Sequence, residues 1–157
     1  MLVWRICRQR HAASAFSGEG ARLLGGRWNS AGTSMVYTSD SLALAALELF
    51  VHIGPTDEAP DDLIAIQAEV PVDLNTDLLA AKKTPKDWGF RSELTQRSGD
   101  AWSKSQQSLA IRVPSVLVDV EWNILINPQH EKMQQLKIVQ SRPFRFDPRM
   151  FAASSRY

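Results

Sequence analysis

The sequence has 157 residues, with 18 basic and 17 acidic side chains that nearly cancel to a formal charge of +1. That balance lacks the basic excess of a dedicated nucleic-acid binder, and the single cysteine, Cys7, excludes an internal disulfide framework. No apolar run approaches membrane-spanning length, and Arg5, Arg8 and Arg10 interrupt the N-terminal segment where a secretory leader needs an apolar core. The expectation is one cytoplasmic domain over residues 1–157, with no direct nucleic-acid contact and no membrane contact.

Leu2 to Cys7 predicts a first strand, followed by a basic, Ala/Ser-rich segment to Phe16 and a turn at Gly18-Glu19-Gly20. Gly18, Gly20 and Leu23 occupy the positions of a G-x-G-x-x-G fingerprint, but the third glycine is missing and no βαβ pattern surrounds it. A Rossmann domain is therefore excluded. Gly25-Gly26 lets the backbone approach a ligand closely, and Arg27 follows with a planar fork suited to phosphate or carboxylate. Trp28 and Asn29 then add an apolar surface and an amide.

Ser34 to Thr38 reads as a short strand with Tyr37 near its end, placed either as core or as a flat platform for a planar ring. Thr38, Ser39, Asp40 and Ser41 offer N-cap oxygens to a helix that starts at Leu42 and stops at Gly54-Pro55. At about 100° per residue, Leu42, Ala46, Leu49, Phe50 and Ile53 share one face, and Leu44, Leu47 and Val51 cover much of the other. Such a helix is expected to be buried nearly all round. Ser41, Glu48 and His52 form its one narrow polar stripe, so Glu48 is expected to face a cleft.

Gly54 to Asp62 is a Pro- and acid-rich loop, and Leu63 to Val70 predicts a strand with Ile64, Ile66, Ala68 and Val70 on one face. A short helix is expected at Leu74 to Ala81, a polar loop at Lys82 to Gly89, and a helix from Asp100 through Trp102 toward Gln107. Leu109 to Val113 alternates as a strand, Pro114 interrupts it, and Val116, Val118 and Val120 resume the period. Asn123 to Pro128 reads as an amide-rich turn, Leu136 to Val139 and Phe144 to Phe146 as further strands, and Asp147 as an ion-pair partner of the flanking arginines. Scattered short strands with two or three helices define an α+β fold.

The candidate chemistry centres on Glu48. Stranding a carboxylate in an apolar interior costs several kcal/mol unless donors or a cation meet it. Three readings are open: a structural pair with an arginine or with His52, a metal pair of Glu48 and His52 at i, i+4, or a catalytic acid. The metal reading lacks a further His or Cys nearby in sequence. Ser115, just after Pro114, is either an ordinary strand serine or a side chain re-aimed toward a cleft by a bulge.

The runs Gly25-Gly-Arg-Trp-Asn-Ser30, Val36-Tyr-Thr-Ser39 and Ser41-Leu-Ala-Leu-Ala-Ala-Leu-Glu48 with His52 resemble the first half of the RES domain family. Arg112-Val-Pro-Ser115, Glu121-Trp-Asn123, Asn127-Pro128, His130 and Pro143-Phe-Arg-Phe-Asp-Pro-Arg149 resemble its second half. The resemblance covers almost the whole chain in order. It implies an ADP-ribosyltransferase-like split two-sheet core and a toxin that destroys NAD, restrained by an Xre-type helix-turn-helix antitoxin. A toxin homodimer within that complex is a further expectation. The arginine, glutamate and serine that name the family map onto Arg27, Glu48 and Ser115, with Ser141 competing for the serine role.

By that resemblance NAD is the substrate, with no permanently bound cofactor and no metal. Glu48 would stabilise the positive charge that develops on ribose as neutral nicotinamide departs. Arg27 would hold the pyrophosphate, Tyr37 would stack on nicotinamide, and Ser115 would bond the nicotinamide ribose, with Asn29 and His52 as lesser contacts. Water, inorganic phosphate or a protein are all admissible acceptors. The alternatives are an ADP-ribosyltransferase acting on a protein and a non-catalytic partner-binding module.

Overall fold

The computed structural model describes residues 1–53, 60–71, 87, 89 and 92–151. Along the chain lie β1 (Leu2–Arg8), a 3-10 turn (Gln9–Ser14), α1 (Glu19–Leu24), β2 (Val36–Ser39), α2 (Leu42–Ile53) and β3 (Leu63–Glu69). Then come α3 (Ser92–Ser105), β4 (Ala110–Pro114), β5 (Trp122–Ile126), a 3-10 turn (Glu131–Gln135), β6 (Lys137–Phe144) and a last 3-10 turn (Pro148–Met150). The expected helix at Leu74 to Ala81 lies outside the described residues, as do most of the loops expected at 54–62 and 82–89.

The six strands form one antiparallel sheet in the order β4-β5-β2-β1-β3-β6. Pairing runs along the strands within β4-β5-β2 and within β1-β3-β6, the latter with a register shift between Gln67 and Ala68, but the ladder joins β1 to β2 only at Trp4 and Ser39. The α+β class is as expected, and the implied split shows as this seam between two three-stranded halves. Arg5 closes part of it by donating from Nη1 to the Tyr37 carbonyl at 2.7 Å. A carbonyl that the ladder leaves open is thereby satisfied.

Side chains alternate across a strand, and that alternation sorts the core into two layers. Val3, Val36, Ala68, Val70, Ala110, Ile124 and Ile126 fill one layer, which spans the seam. On the opposite face, Trp28, Met35, Trp102, Ile111, Val113 and Leu125 join α3 to the β4-β5-β2 half. On that same face, Ala45 of α2 packs with Ile6, Leu63, Ala65 and Phe146 over the β1-β3-β6 half. Phe146 also meets Phe50, Phe144 and Phe151 with ring centroids 5.1 to 6.0 Å apart. Burying one such ring stabilises the fold by about 1.5–3 kcal/mol.

Several elements differ from expectation for physical reasons. Helix α2 is not buried all round: Val51 and Ala43 are exposed, while Leu44 is buried and the stripe of Leu42, Ala45, Ala46, Leu49 and Phe50 packs on the sheet. Ser41 does cap it, accepting from Leu44 N at 3.0 Å. Strand β3 buries both faces, because Leu63 and Ala65 lie under α2 while Ala68 and Val70 serve the other layer. Gly18 does not simply turn the chain. At φ 72° it takes the left-handed conformation that starts α1.

Val116, Val118 and Val120 form no strand; they lie in a hairpin loop closed by Ser115 N donating to Glu121 O at 2.9 Å. The strand resumes at Trp122 instead, so Asn123 to Ile126 is sheet and not the expected turn. Strand β6 absorbs Phe144, leaving Phe146 as a buried non-strand residue. Its proline, Pro143, is tolerated because β6 is an edge. Asp147 pairs with Arg149 at 2.7 Å.

Helix α3 begins well before Asp100, at Ser92. Its buried residues are Thr95, Gly99, Trp102 and Ser103, a helical face with too little apolar character to show in sequence. Gly99 has a steric reason: a Cβ there would stand 1.8 Å from the Trp28 carbonyl oxygen. Gly→Ala in mid-helix ordinarily raises stability through helix propensity, but Gly99→Ala must push α3 off the Trp28 loop. Urea unfolding is expected to show a loss of about 3 kcal/mol, the upper end of overpacking costs.

Candidate active site

The first site component is a braced loop. Gly26 packs so tightly that an added Cβ would lie 2.6 Å from the Tyr37 hydroxyl and 2.9 Å from Asn29 Oδ1. Tyr37 OH donates to Asn29 Oδ1 at 2.7 Å and accepts from Trp28 N at 2.9 Å. Asn29 is 0% exposed, and its Nδ2 reaches the carbonyls of Ala21, Ser30 and Thr33 at 2.8, 3.1 and 2.9 Å. Both ends of that amide are committed, which corrects the expectation of a substrate contact: Asn29 positions Tyr37 and the loop.

From α3, Gln96 Nε2 donates to Gly26 O at 2.9 Å, Thr95 Oγ1 to Arg27 O at 2.5 Å, and Asp100 Oδ1 accepts from Ser30 N at 3.0 Å. With its backbone held this way, Arg27 keeps an exposed side chain whose Nη1 donates to the Gly89 carbonyl. The guanidinium lies near enough to Tyr37 to pull the phenol pKa down. Burial outweighs it, however, and with help from Asp100 pushes that pKa far above its ordinary value.

The second component is Glu48. Its Oε1 accepts from Ser115 Oγ at 2.9 Å and from Asn123 Nδ2 at 2.5 Å. Asn123 Oδ1 in turn accepts from Ser39 Oγ at 2.7 Å. Ser115 is 2% exposed, and its hydroxyl oxygen accepts from Leu117 N at 3.1 Å and Val118 N at 3.3 Å. Among the described residues Glu48 forms no ion pair, with Arg27 or any other cation. The structural ion-pair reading is thus replaced by two neutral donors.

The two components share one face of the sheet. Asn123 alternates with Ile124 and so lies on the Leu125 side of β5, and Tyr37 and Ser39 lie on the matching side of β2. That is the face covered by α2 on one half and α3 on the other. Glu48 therefore reaches across the seam from α2 to residues of the opposite half.

His52 is exposed, and its Nδ1 lies 2.6 Å from the Glu48 backbone carbonyl, away from the carboxylate. No group of three His, Cys, Asp or Glu side chains able to hold a metal occurs among the described residues. Ser141 is exposed on β6 opposite Ile66, so the serine brought to Glu48 is Ser115. Sequence reasoning missed Asn123 and Ser39 as site residues. The register signal that joins them, Ser39 opposite Asn123, exists only once the strands pair.

An α+β domain whose sheet carries a glutamate bonded by a serine and an asparagine, with an arginine and a tyrosine on a braced loop over the same face, defines the class, and the comparisons agree: the RES domain family matches residues 2–147. The chain belongs to that family. It is 39% identical over 156 residues to "Toxin Res" of Yersinia enterocolitica, covering 96% of this chain and 99% of the relative. It is 33% identical to "Toxin Res" of Photorhabdus laumondii, over 98% of this chain and 99% of the relative. The "Prs ADP-ribosylating toxin" of a Sphingobium species is 34% identical, with 94% of each chain covered. A chain from the crystal structure of the M. tuberculosis MbcT–MbcA toxin–antitoxin complex shares the fold at TM-score 0.70 and 21% identity, over 96% of this chain and 86% of that one.

Tyr37 gives the site a measurable signature. Its raised pKa means the folded state favours the neutral phenol, so this stabilisation is complete below pH of about 10 and is lost as pH rises above it. Tyr37→Phe is expected to cost about 1–3 kcal/mol at neutral pH by removing the hydroxyl that bonds Trp28 N and Asn29 Oδ1. It should also flatten the alkaline fall in stability. Thermal unfolding from pH 7 to 11 reads both effects.

Proposed function

We propose that this protein is the toxin of a toxin–antitoxin pair and that it cleaves the bond between nicotinamide and ribose in NAD. The observation that carries this reading is a half-buried carboxylate met, among the described residues, by neutral donors and no cation. A fixed negative charge left uncompensated in a protein interior is matched to a partner that becomes positive only during reaction. The oxocarbenium-like ribose of a departing nicotinamide is such a partner.

In the proposed reaction the glycosidic C–N bond breaks and its electron pair leaves with nicotinamide, which departs neutral and needs no general acid. An oxygen nucleophile, water or phosphate, bonds to the anomeric carbon and loses its proton. Glu48 stabilises the charge between those events. Arg27, exposed and next to Tyr37, holds the pyrophosphate, while the half-buried Tyr37 ring offers its face to nicotinamide. His52 lies one turn beyond Glu48 as a peripheral contact.

A second reading keeps the same donor chemistry and transfers ADP-ribose to a protein. The Sphingobium relative's name, "Prs ADP-ribosylating toxin", favours it. The likeness in fold to a chain from a toxin–antitoxin complex supports an antitoxin partner. We propose an Xre-type helix-turn-helix protein for that partner, a toxin homodimer within the assembly, and a cytoplasmic setting for both. None of the described helices is long and apolar enough to cross a membrane.

The test is product analysis with labelled NAD. Free nicotinamide with soluble ADP-ribose or its phosphate supports cleavage, label on protein supports transfer, and neither product overturns both in favour of a non-catalytic binding module. Glu48→Gln, nearly equal in size, is expected to lower nicotinamide release by about 10²- to 10³-fold. Its affinity for NAD, measured calorimetrically, should change far less.

A further inference from the structure

We infer that Ser115, Asn123 and Ser39 are positioning residues that make Glu48 one-sided, docking Oε1 and presenting Oε2 alone to the substrate. The inference rests on the proposed reaction and assigns the serine a different task from ribose binding. A serine hydroxyl has one proton and two acceptor sites. In Ser115 both acceptor sites are taken by Leu117 N and Val118 N, and the proton goes to Glu48 Oε1. Buried and fully committed, this hydroxyl has nothing left for a ribose.

Asn123 delivers the second donor to the same oxygen. Its amide is set by Ser39, the residue opposite it in the β2–β5 register, whose hydroxyl donates to Oδ1 at 2.7 Å. That bond polarises the amide and strengthens the Nδ2 bond to Glu48, since linked hydrogen bonds reinforce one another in a poorly solvated site. Ser39 is itself buried and separated from Glu48 by the whole amide. Among the described residues Glu48 Oε2 accepts no hydrogen bond. Two donors on one oxygen and none on the other fix the carboxylate rotamer and direct the free lone pairs at a single reacting centre.

Ser39 is the discriminating position, because it touches only Asn123 among the side chains of the relay. Ser39→Ala is expected to lower kcat for nicotinamide release about tenfold, the value of one hydrogen bond, with KM for NAD unchanged. Ser39→Thr keeps the hydroxyl and should restore kcat. Asn123→Asp, which keeps size and the Ser39 bond but turns an oxygen toward Glu48, should cost about a hundredfold. In an Asn123→Ala background the Ser39→Ala effect should vanish. Melting temperatures near wild type establish that each variant is folded, and Asn123→Asp carries the test if Ser39→Ala is not.

Full kcat in Ser39→Ala or Asn123→Asp overturns the relay, as does a raised KM at unchanged kcat or an Ser39→Ala loss that persists without Asn123. A wild-type protein that releases no nicotinamide is a different result. It removes the reaction on which the relay was argued, and the relay with it.

Discussion

A carboxylate can be kept charged inside a protein by a cation or by hydrogen-bond donors, and the choice decides what it can do. A cation cancels the field; neutral donors solvate the charge and leave the field largely intact. Among the described residues Glu48 meets donors and no cation, one hydroxyl and one amide on a single oxygen. The rest of the site follows from that constraint. The donors have to be rigid, which explains why Ser115 is locked by two loop amides and Asn123 by a cross-strand serine. Arg27 stays clear of the carboxylate, tied to Gly89 and to α3 through its own backbone.

The divided sheet is what allows these groups to meet. If β1 and β2 paired along their length, the face between α2 and α3 would be continuous ladder with packed apolar side chains. Instead the ladder pairs them at Trp4 and Ser39 alone, and beyond that point Arg5 satisfies the Tyr37 carbonyl from the opposite face. Ser39 thus occupies two roles that coincide in space, the ladder partner of β1 and the anchor of the Asn123 amide. Helix α2 is seated on one half by Ala45 and its neighbours, and its carboxylate reaches residues of the other.

What the sequence revealed follows from what periodicity can encode. Helix α2 was legible because a serine cap, a long apolar run and a glycine-proline stop agree, and Glu48 stood out as the lone acid on it. Strands β3 and β4 are legible from alternation, and β1 as a strand of mixed pattern. Helix α3 was not, because it buries Thr95, Gly99 and Ser103 against a backbone, and close backbone packing selects small residues without an apolar stripe. The valines at 116, 118 and 120 mimic a strand although they sit in a loop, with Val120 79% exposed. Conversely the amides at 123 and 127 suggested a turn while framing three fully buried strand residues. Asn29 was misjudged for a related reason: composition shows that an amide is present, and only the fold shows that both of its ends are already used.

The relay and the braced loop divide the proposed chemistry in an informative way. In the proposed reaction Glu48, Tyr37 and Arg27 would all address NAD, and among the residues that hold them Asn29, Ser39, Thr95 and Ser115 are buried. The side chains that face solvent on the hairpin loop whose amides lock Ser115 are Val116, Leu117, Asp119 and Val120. In the proposed reaction, cleavage and transfer require the same donor half and differ in the acceptor, which is compatible with relatives named simply as toxins and another named for ADP-ribosylation.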